Sequence, residues 1–229
     1  ARQRDRPRQR EDLPWPEGAQ GPVDPAAMGA DPAGLAQALE SAFAEPGPEP
    51  RRRTRAVAVV YDGRLVAERY AEGFHKEMPL LGWSMAKSAT NALVGILVQQ
   101  GRFDILRPAP VAEWGKPGDP RQAISIDQLL RMSSGLAFKE VYAPLYDATR
   151  MLYGSHDMVG FAAAKPLEGP PDSRWNYSSG TANIVARIVR RTVEKDAPYY
   201  YQFMHTQLFD RIGMTSAVFE PDASGTFVG

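Results

Sequence analysis

Residues 82–101, Gly-Trp-Ser-Met-Ala-Lys-Ser-Ala-Thr-Asn-Ala-Leu-Val-Gly-Ile-Leu-Val-Gln-Gln-Gly, constrain the chain more than any other stretch. Met85, Ala89, Leu93, Ile96 and Leu97 recur at helical spacing, and Ala86, Ala92, Val94 and Val98 extend the apolar surface round the remaining faces. A helix apolar nearly all round is expected to be buried, and Gly101 is a suitable stop. Its first turn nevertheless carries Ser84 and Lys87, three residues apart and so on one face. A lysine there sits at the unfavourable end of the helix dipole, and burial disfavours an ammonium. A neutral amine beside a hydroxyl can take its proton and make a nucleophile. The N–H groups at the helix start, that of Ser84 among them, can then stabilise an oxyanion. The same string also describes a plain N-cap serine and a lysine reaching to solvent, so the choice rests on the rest of the chain.

The chain has 229 residues, enough for one large domain or two small ones. Lys plus Arg and Asp plus Glu both number 27, so net charge points to no nucleic acid and no acidic partner. Arginines cluster at Arg2, Arg4, Arg6, Arg8 and Arg10 and at Arg51, Arg52, Arg53 and Arg55. No aromatics interleave with them, so they read as solvated segments. With no cysteine, thiolate catalysis, disulfides and zinc–thiolate sites are excluded. His75, His156 and His205 have no ligand spacing, so no metal is expected. No apolar run approaches the ~20 residues that span a bilayer. The first residue is Ala1, which leaves open an export segment removed upstream or a shortened chain; a periplasmic or exported location is expected over a cytoplasmic one.

Residues 1–31 are polar and proline-rich and read as a flexible or extended N-terminal arm. Asp31-Pro32 looks like an N-cap followed by proline at the first helical position, with a helix over roughly 32–44. Residues 56–61 read as a buried strand, Asp62-Gly63 as a hairpin turn, and 64–70 as the return strand. Ser125 or Asp127 is expected to cap a short helix. Residues 137–156, with Tyr142, Tyr146, Tyr153 and His156, read as an aromatic loop region. A short helix is expected over 157–164, further helices after Gly180 and from Pro198, and residues 217–219 look strand-like.

Three segments in order then match a known pattern: Ser84-Met85-Ala86-Lys87, residues 127–136 (Asp-Gln-Leu-Leu-Arg-Met-Ser-Ser-Gly-Leu), and Tyr177-Ser178-Ser179-Gly180. Over roughly 35–225 the chain resembles the serine β-lactamase and penicillin-recognising hydrolases. It is most similar to their class C-like branch, and there to 6-aminohexanoate-dimer hydrolases and related carboxylesterases. The resemblance implies an α+β fold: an antiparallel sheet flanked by helices, plus a mostly helical subdomain. The hairpin would be 56–70 and the subdomain about 84–213, within a domain spanning 32–229. It implies Ser84 as nucleophile, Lys87 and Tyr177 as a proton-relay pair, and Tyr142 or Tyr146, with Tyr142 preferred, closing over substrate beside Ser179 and Trp83. The expected substrate is a small-molecule ester or linear amide, cleaved through an acyl-enzyme without a cofactor. A penicillin-binding or D-amino-acid peptidase, a β-lactamase, and a non-catalytic binding or sensor module are the alternatives.

Two departures from the family pattern shape these expectations. Ser179 stands where the lactamases carry Asn, so the amide that reads a β-lactam carbonyl is missing. The family's Lys-Thr-Gly or His-x-Gly strand is not found either. The C-terminal strands of the sheet are therefore expected to be missing from this chain, and a C-terminal segment or a second chain is expected to complete the sheet.

Overall fold

The computed structural model describes residues 10–49, 51–195 and 200–228. The chain divides into two units, one formed by the residues up to Leu80 with Phe209–Ser216, the other by Leu81–Leu208 with Ala217–Gly229.

In the first unit, short strands β1 (Arg10–Pro14) and β2 (Gly18–Gln20) pair in parallel, so the segment expected as a featureless arm carries structure from Arg10 onward. Arg2, Arg4, Arg6 and Arg8 lie outside the described residues. Helix α1 (Pro32–Phe43) starts as its sequence predicts. The Asp31 carboxylate accepts the Ala33 N–H at 3.0 Å, and Pro32, which has no N–H to lose, fills the first position. Strands β3 (Ala56–Tyr61) and β4 (Arg64–Tyr70) form the antiparallel hairpin. Asp62 and Gly63 both take positive φ, 47° and 73°, as the tight turn between right-twisted strands requires. The burial is the reverse of expectation. The residues of β3 are half-buried or exposed, whereas Leu65, Val66 and Ala67 of β4 are buried in succession. The register explains the break in alternation: Val59 pairs with Ala67 and Val60 with Leu65, so Val66 is the extra residue of a bulge. Arg69 ties α1 to the hairpin by pairing with Glu40 at 2.7 Å and covering the Phe43 ring at 4.6 Å.

The second unit contains α2 (Met85–Gln99), α3 (Ile126–Leu130), α4 (Asp147–Gly154), α5 (Met158–Ala163), α6 (Ser179–Val193) and α7 (Tyr200–Met204). Its centre is α6, with twelve of its fifteen residues buried and with α2, α3, α4, α5 and α7 packed against it. The expected all-round burial of the Ser84 helix is not found. Only Thr90, Leu93, Val94 and Leu97 of α2 are buried, and Met85 and Val98 are exposed. The apolar pattern of α2 specifies a helix; which helix lies at the centre is decided by packing. Small residues let α6 take that place. A Cβ on Gly180 would come 2.6 Å from the Phe138 ring and 2.9 Å from Ala162. Arg187, buried on α6, is held by Asp157 at 3.0 Å and by Glu113. Buried Trp114 donates its indole N–H to the Ala163 carbonyl at 2.9 Å.

Three other expectations change. Ser125, not Asp127, caps α3, in a reciprocal box with Gln128. The region 137–156 is not all loop, because α4 occupies its second half. Residues 217–219 form no strand; the carboxylate of nearby Asp222 instead gathers the Ser224 hydroxyl and the N–H groups of Thr226 and Met158. Pro198 lies outside the described residues.

Two segments are laced together around the site. The Glu168 N–H donates to Gly135 O at 2.8 Å, Ala137 N–H to Pro166 O at 2.9 Å, Asp172 N–H to Ser133 O at 2.8 Å and Asn176 N–H to Met132 O at 2.8 Å. Asp172 fastens this lacing to α3. Its carboxylate accepts from the Gln128 amide at 2.8 Å, the Ser133 hydroxyl at 2.7 Å and Arg131 at 2.9 Å. Those donors, Gln128 first, hold the Asp172 carboxyl below its ordinary range. The folded state therefore releases this proton more readily than the unfolded chain. The stabilisation is present above the ordinary carboxyl pKa and is lost as pH falls through the lower folded value. Asp172→Asn should accordingly be less stable than wild type at neutral pH, with the gap closing as pH falls below the ordinary carboxyl range. Urea unfolding across that range measures it; a gap that stays constant would show that the charge is not what fastens the lacing.

Candidate active site

Helix α2 positions Ser84 and Lys87. Trp83 precedes it with φ of 44°, a left-handed backbone rare for a non-glycine residue, and Ser84 takes the N-cap position without using its hydroxyl as a cap. That hydroxyl is left for another partner. Lys87, one turn on, places Nζ 3.1 Å from Ser84 Oγ, within hydrogen-bond reach. Ser84 is exposed and Lys87 half-buried, so the pair lies on an open rim and not beneath the surface as a buried helix would have placed it.

The N-terminus of α6 supplies the facing side. Lys87 Nζ also donates to Ser179 Oγ at 3.2 Å, across 92 residues of sequence, and Ser179 is 4% exposed. Ser178, rather than Ser179, caps α6 by accepting the Thr181 N–H at 3.0 Å, which leaves the Ser179 hydroxyl for the site. Tyr177, expected as the relay partner of Lys87, meets it through its ring face: Nζ sits 5.2 Å from the centre of the phenol ring. Trp175 lies beside it, with ring centres 6.3 Å apart.

Tyr142 and Trp83 form the wall, edge to face with centres 6.3 Å apart and planes at 87°. Both are more than half exposed. Tyr146 is instead the residue before α4, its carbonyl accepting the Thr149 hydroxyl. All six residues read from the sequence thus fall in one cluster. Glu140, which the sequence reading passed over, joins them. Its carboxylate accepts the Tyr142 hydroxyl at 2.7 Å, the Ser179 hydroxyl at 2.5 Å and the Ser179 N–H at 2.8 Å. Burial, helped by the Glu140 carboxylate, pushes the Tyr142 phenol up, so it remains a donor at neutral pH. Nothing local marks Glu140, because its partner Ser179 is 39 residues away.

His75 and His156 are exposed and His205 is buried against Tyr201, with ring centres 4.6 Å apart. Among the described residues no cluster of His, Asp and Glu could hold a metal ion, and no helix is long and apolar enough to cross a membrane. Two shallow depressions, one among Lys116, Arg121 and Leu167 and the other among Ala109, Trp114 and Gln122, contain none of the cluster's residues. We take the hydrogen-bonded cluster, not these hollows, as the site, because only it joins a hydroxyl to an amine.

With that geometry in hand, a family model described as Beta-lactamase matches residues 36–228. The chain belongs to the β-lactamase family. Solved structures with the same fold include three proteins. One is from Bacillus anthracis, assigned as a 6-aminohexanoate-dimer hydrolase, at 22% identity and TM-score 0.53, over 69% of this chain and 42% of that one. Another is a D-stereospecific amidohydrolase from Streptomyces sp., at 24% and 0.57, over 78% and 54%. The third, from Bacteroides dorei DSM 17855, is assigned as a β-lactamase, at 18% and 0.58, over 89% and 59%. At these identities the likeness is one of fold, and the chain spans about half the length of the structures it matches. No curated protein matches it. Family membership accounts for the α+β architecture, with its small antiparallel sheet and its helices, that the ordered motifs implied.

Proposed function

We propose that this β-lactamase-family chain carries the nucleophile of a serine hydrolase acting on small-molecule carboxylic esters or linear amides. The observation behind it is the 3.1 Å contact between Lys87 Nζ and Ser84 Oγ at the start of α2. An amine at that distance can take the hydroxyl proton as Ser84 Oγ attacks a carbonyl carbon, and return it to the leaving alkoxide or amine as the C–O or C–N bond breaks. Water, activated by the same amine, then cleaves the acyl-Ser84 ester and restores the hydroxyl. Tyr177 packs its ring face against the Lys87 head group and helps to hold it in place. Trp83 and Tyr142 offer an aromatic wall to the acyl or leaving group. Ser179, a hydroxyl committed to Lys87 and Glu140, offers a substrate carbonyl no side-chain amide, which supports ester and linear-amide hydrolysis over β-lactam or peptide cleavage.

The test is intact mass of the full-length protein after a fluorophosphonate probe, with peptide mapping of the adduct. A single adduct on Ser84 is expected, and short-chain esters and linear amides should turn over faster than β-lactams. Slow-releasing penicillin labelling without ester turnover would move the reading to a peptidase. Absence of any adduct on Ser84 would move it to a binding module.

A further inference from the structure

We propose that Glu140 is a positioning residue that fixes which way the protons point along Ser84, Lys87 and Ser179. The inference rests on the reading of Ser84 as nucleophile and Lys87 as its base. A neutral amine has two N–H groups and one lone pair, and it works as a base only if the lone pair, not an N–H, faces the Ser84 hydroxyl. Something must draw the N–H groups elsewhere. Ser179 Oγ, 3.2 Å from Nζ, can do so only as an acceptor, and a hydroxyl is both donor and acceptor. Its direction is set by its other partner. That partner is Glu140 Oε1 at 2.5 Å, and an ionised carboxylate accepts only. The Ser179 proton is therefore committed to Glu140, its lone pairs are turned to Lys87, and a Lys87 N–H is drawn to Ser179; with that N–H fixed, the amine can turn its lone pair to Ser84.

The same carboxylate is itself held in place. Oε2 accepts the Ser179 N–H at 2.8 Å, at the N-terminus of α6, where the helix dipole favours a negative charge. Oε1 also accepts the Tyr142 hydroxyl at 2.7 Å, and Tyr142 packs on Trp83, the residue before Ser84. Glu140 thus reaches the nucleophile from two sides, through the base and through the wall.

A purely structural Glu140 would only satisfy the α6 N-terminus, and its loss would cost stability without touching reactivity. The double-mutant cycle of Glu140→Gln with Ser179→Ala separates the two cases, read as the rate of fluorophosphonate labelling on the full-length protein, with thermal midpoints recorded alongside. Glutamine keeps one acceptor oxygen and replaces the other with a donor, so it cannot serve the Ser179 hydroxyl, the Ser179 N–H and the Tyr142 hydroxyl together. Glu140→Gln should label roughly ten- to a hundredfold more slowly, the scale of a lost hydrogen bond to a charged group. The double variant should be no slower than Ser179→Ala alone, because residues acting through one another are not additive. Glu140→Asp, which keeps an acceptor-only group, should recover part of the rate, and it replaces the glutamine variant in the cycle if that variant fails to fold. Wild-type labelling by Glu140→Gln, or a double variant slowed by the product of the single effects, would overturn the proposal. Labelling that persists in Ser84→Ala would instead remove the reading beneath it.

Discussion

Ser84→Ala should abolish turnover, by a factor on the order of 10⁴ or more, without disturbing the fold. The two halves of that expectation have separate grounds. Of the two hydroxyls hydrogen-bonded to Lys87 among the described residues, that of Ser84 lies on the exposed rim, and that of Ser179 is buried and committed to Glu140. Among the described residues no second exposed hydroxyl hydrogen-bonds to Lys87. The fold should hold because Ser84 is exposed and its hydroxyl caps no N–H of α2, so its loss falls among surface changes worth about ±0.5 kcal/mol. Lys87→Ala should cost a comparable factor, and the double variant no more than either alone, since a base without its nucleophile has nothing to deprotonate. Steady-state hydrolysis of an activated ester by the three variants decides the matter. Multiplying losses would mean that Ser84 and Lys87 act apart, and an undiminished Ser84→Ala would place the chemistry elsewhere.

Gly135→Ala carries the largest expected effect on stability. Gly135 has φ of 77°, and a Cβ there would lie 2.3 Å from the Gly169 carbonyl oxygen. Both the left-handed backbone and the close approach demand glycine. The obstructing atom is backbone, so relief requires the two laced segments to separate. About 3 kcal/mol is a reasonable scale, a fall in Tm on the order of 10 °C for a chain of this size. Gly101 provides the comparison. Its φ is 69° but nothing lies within 4 Å of an added Cβ, so Gly101→Ala should lose only about 1 kcal/mol. Thermal unfolding of both variants tests the distinction; equal losses would show that the lacing yields freely. Because that lacing fastens the backbone just before Glu140 and just before Tyr177, Gly135→Ala should also slow Ser84 labelling.

What the sequence revealed was local chemistry. Asp31-Pro32, Asp62-Gly63 and the Ser125–Gln128 box specify their own backbone, and each forms as read. The motif residues also found one another, since the spacing of Ser84 and Lys87 is a property of one helix turn. Relative burial was not legible. Helix α2 carries Ala, Leu and Val and α6 carries Ala, Ile and Val, and only packing makes α6 the axis. The hairpin misled for the same reason: Ala56–Tyr61 is the more apolar strand on paper, yet the bulge at Val66 gives β4 the buried stretch. Glu140 was invisible because its meaning lies in Ser179 and Lys87, reached only through the fold.

Trp83 shows where robustness and reactivity pull in opposite directions. A tryptophan held at φ of 44° costs on the order of 1–3 kcal/mol relative to a residue at ease there. Glycine would relax that backbone, and a search for heat-tolerant variants would select it. The same exchange would erase the partner against which Tyr142 rests and loosen the approach to Ser84. At this one position, then, the more durable protein would be the poorer catalyst, and efforts to harden the chain belong at sites away from the first turn of α2.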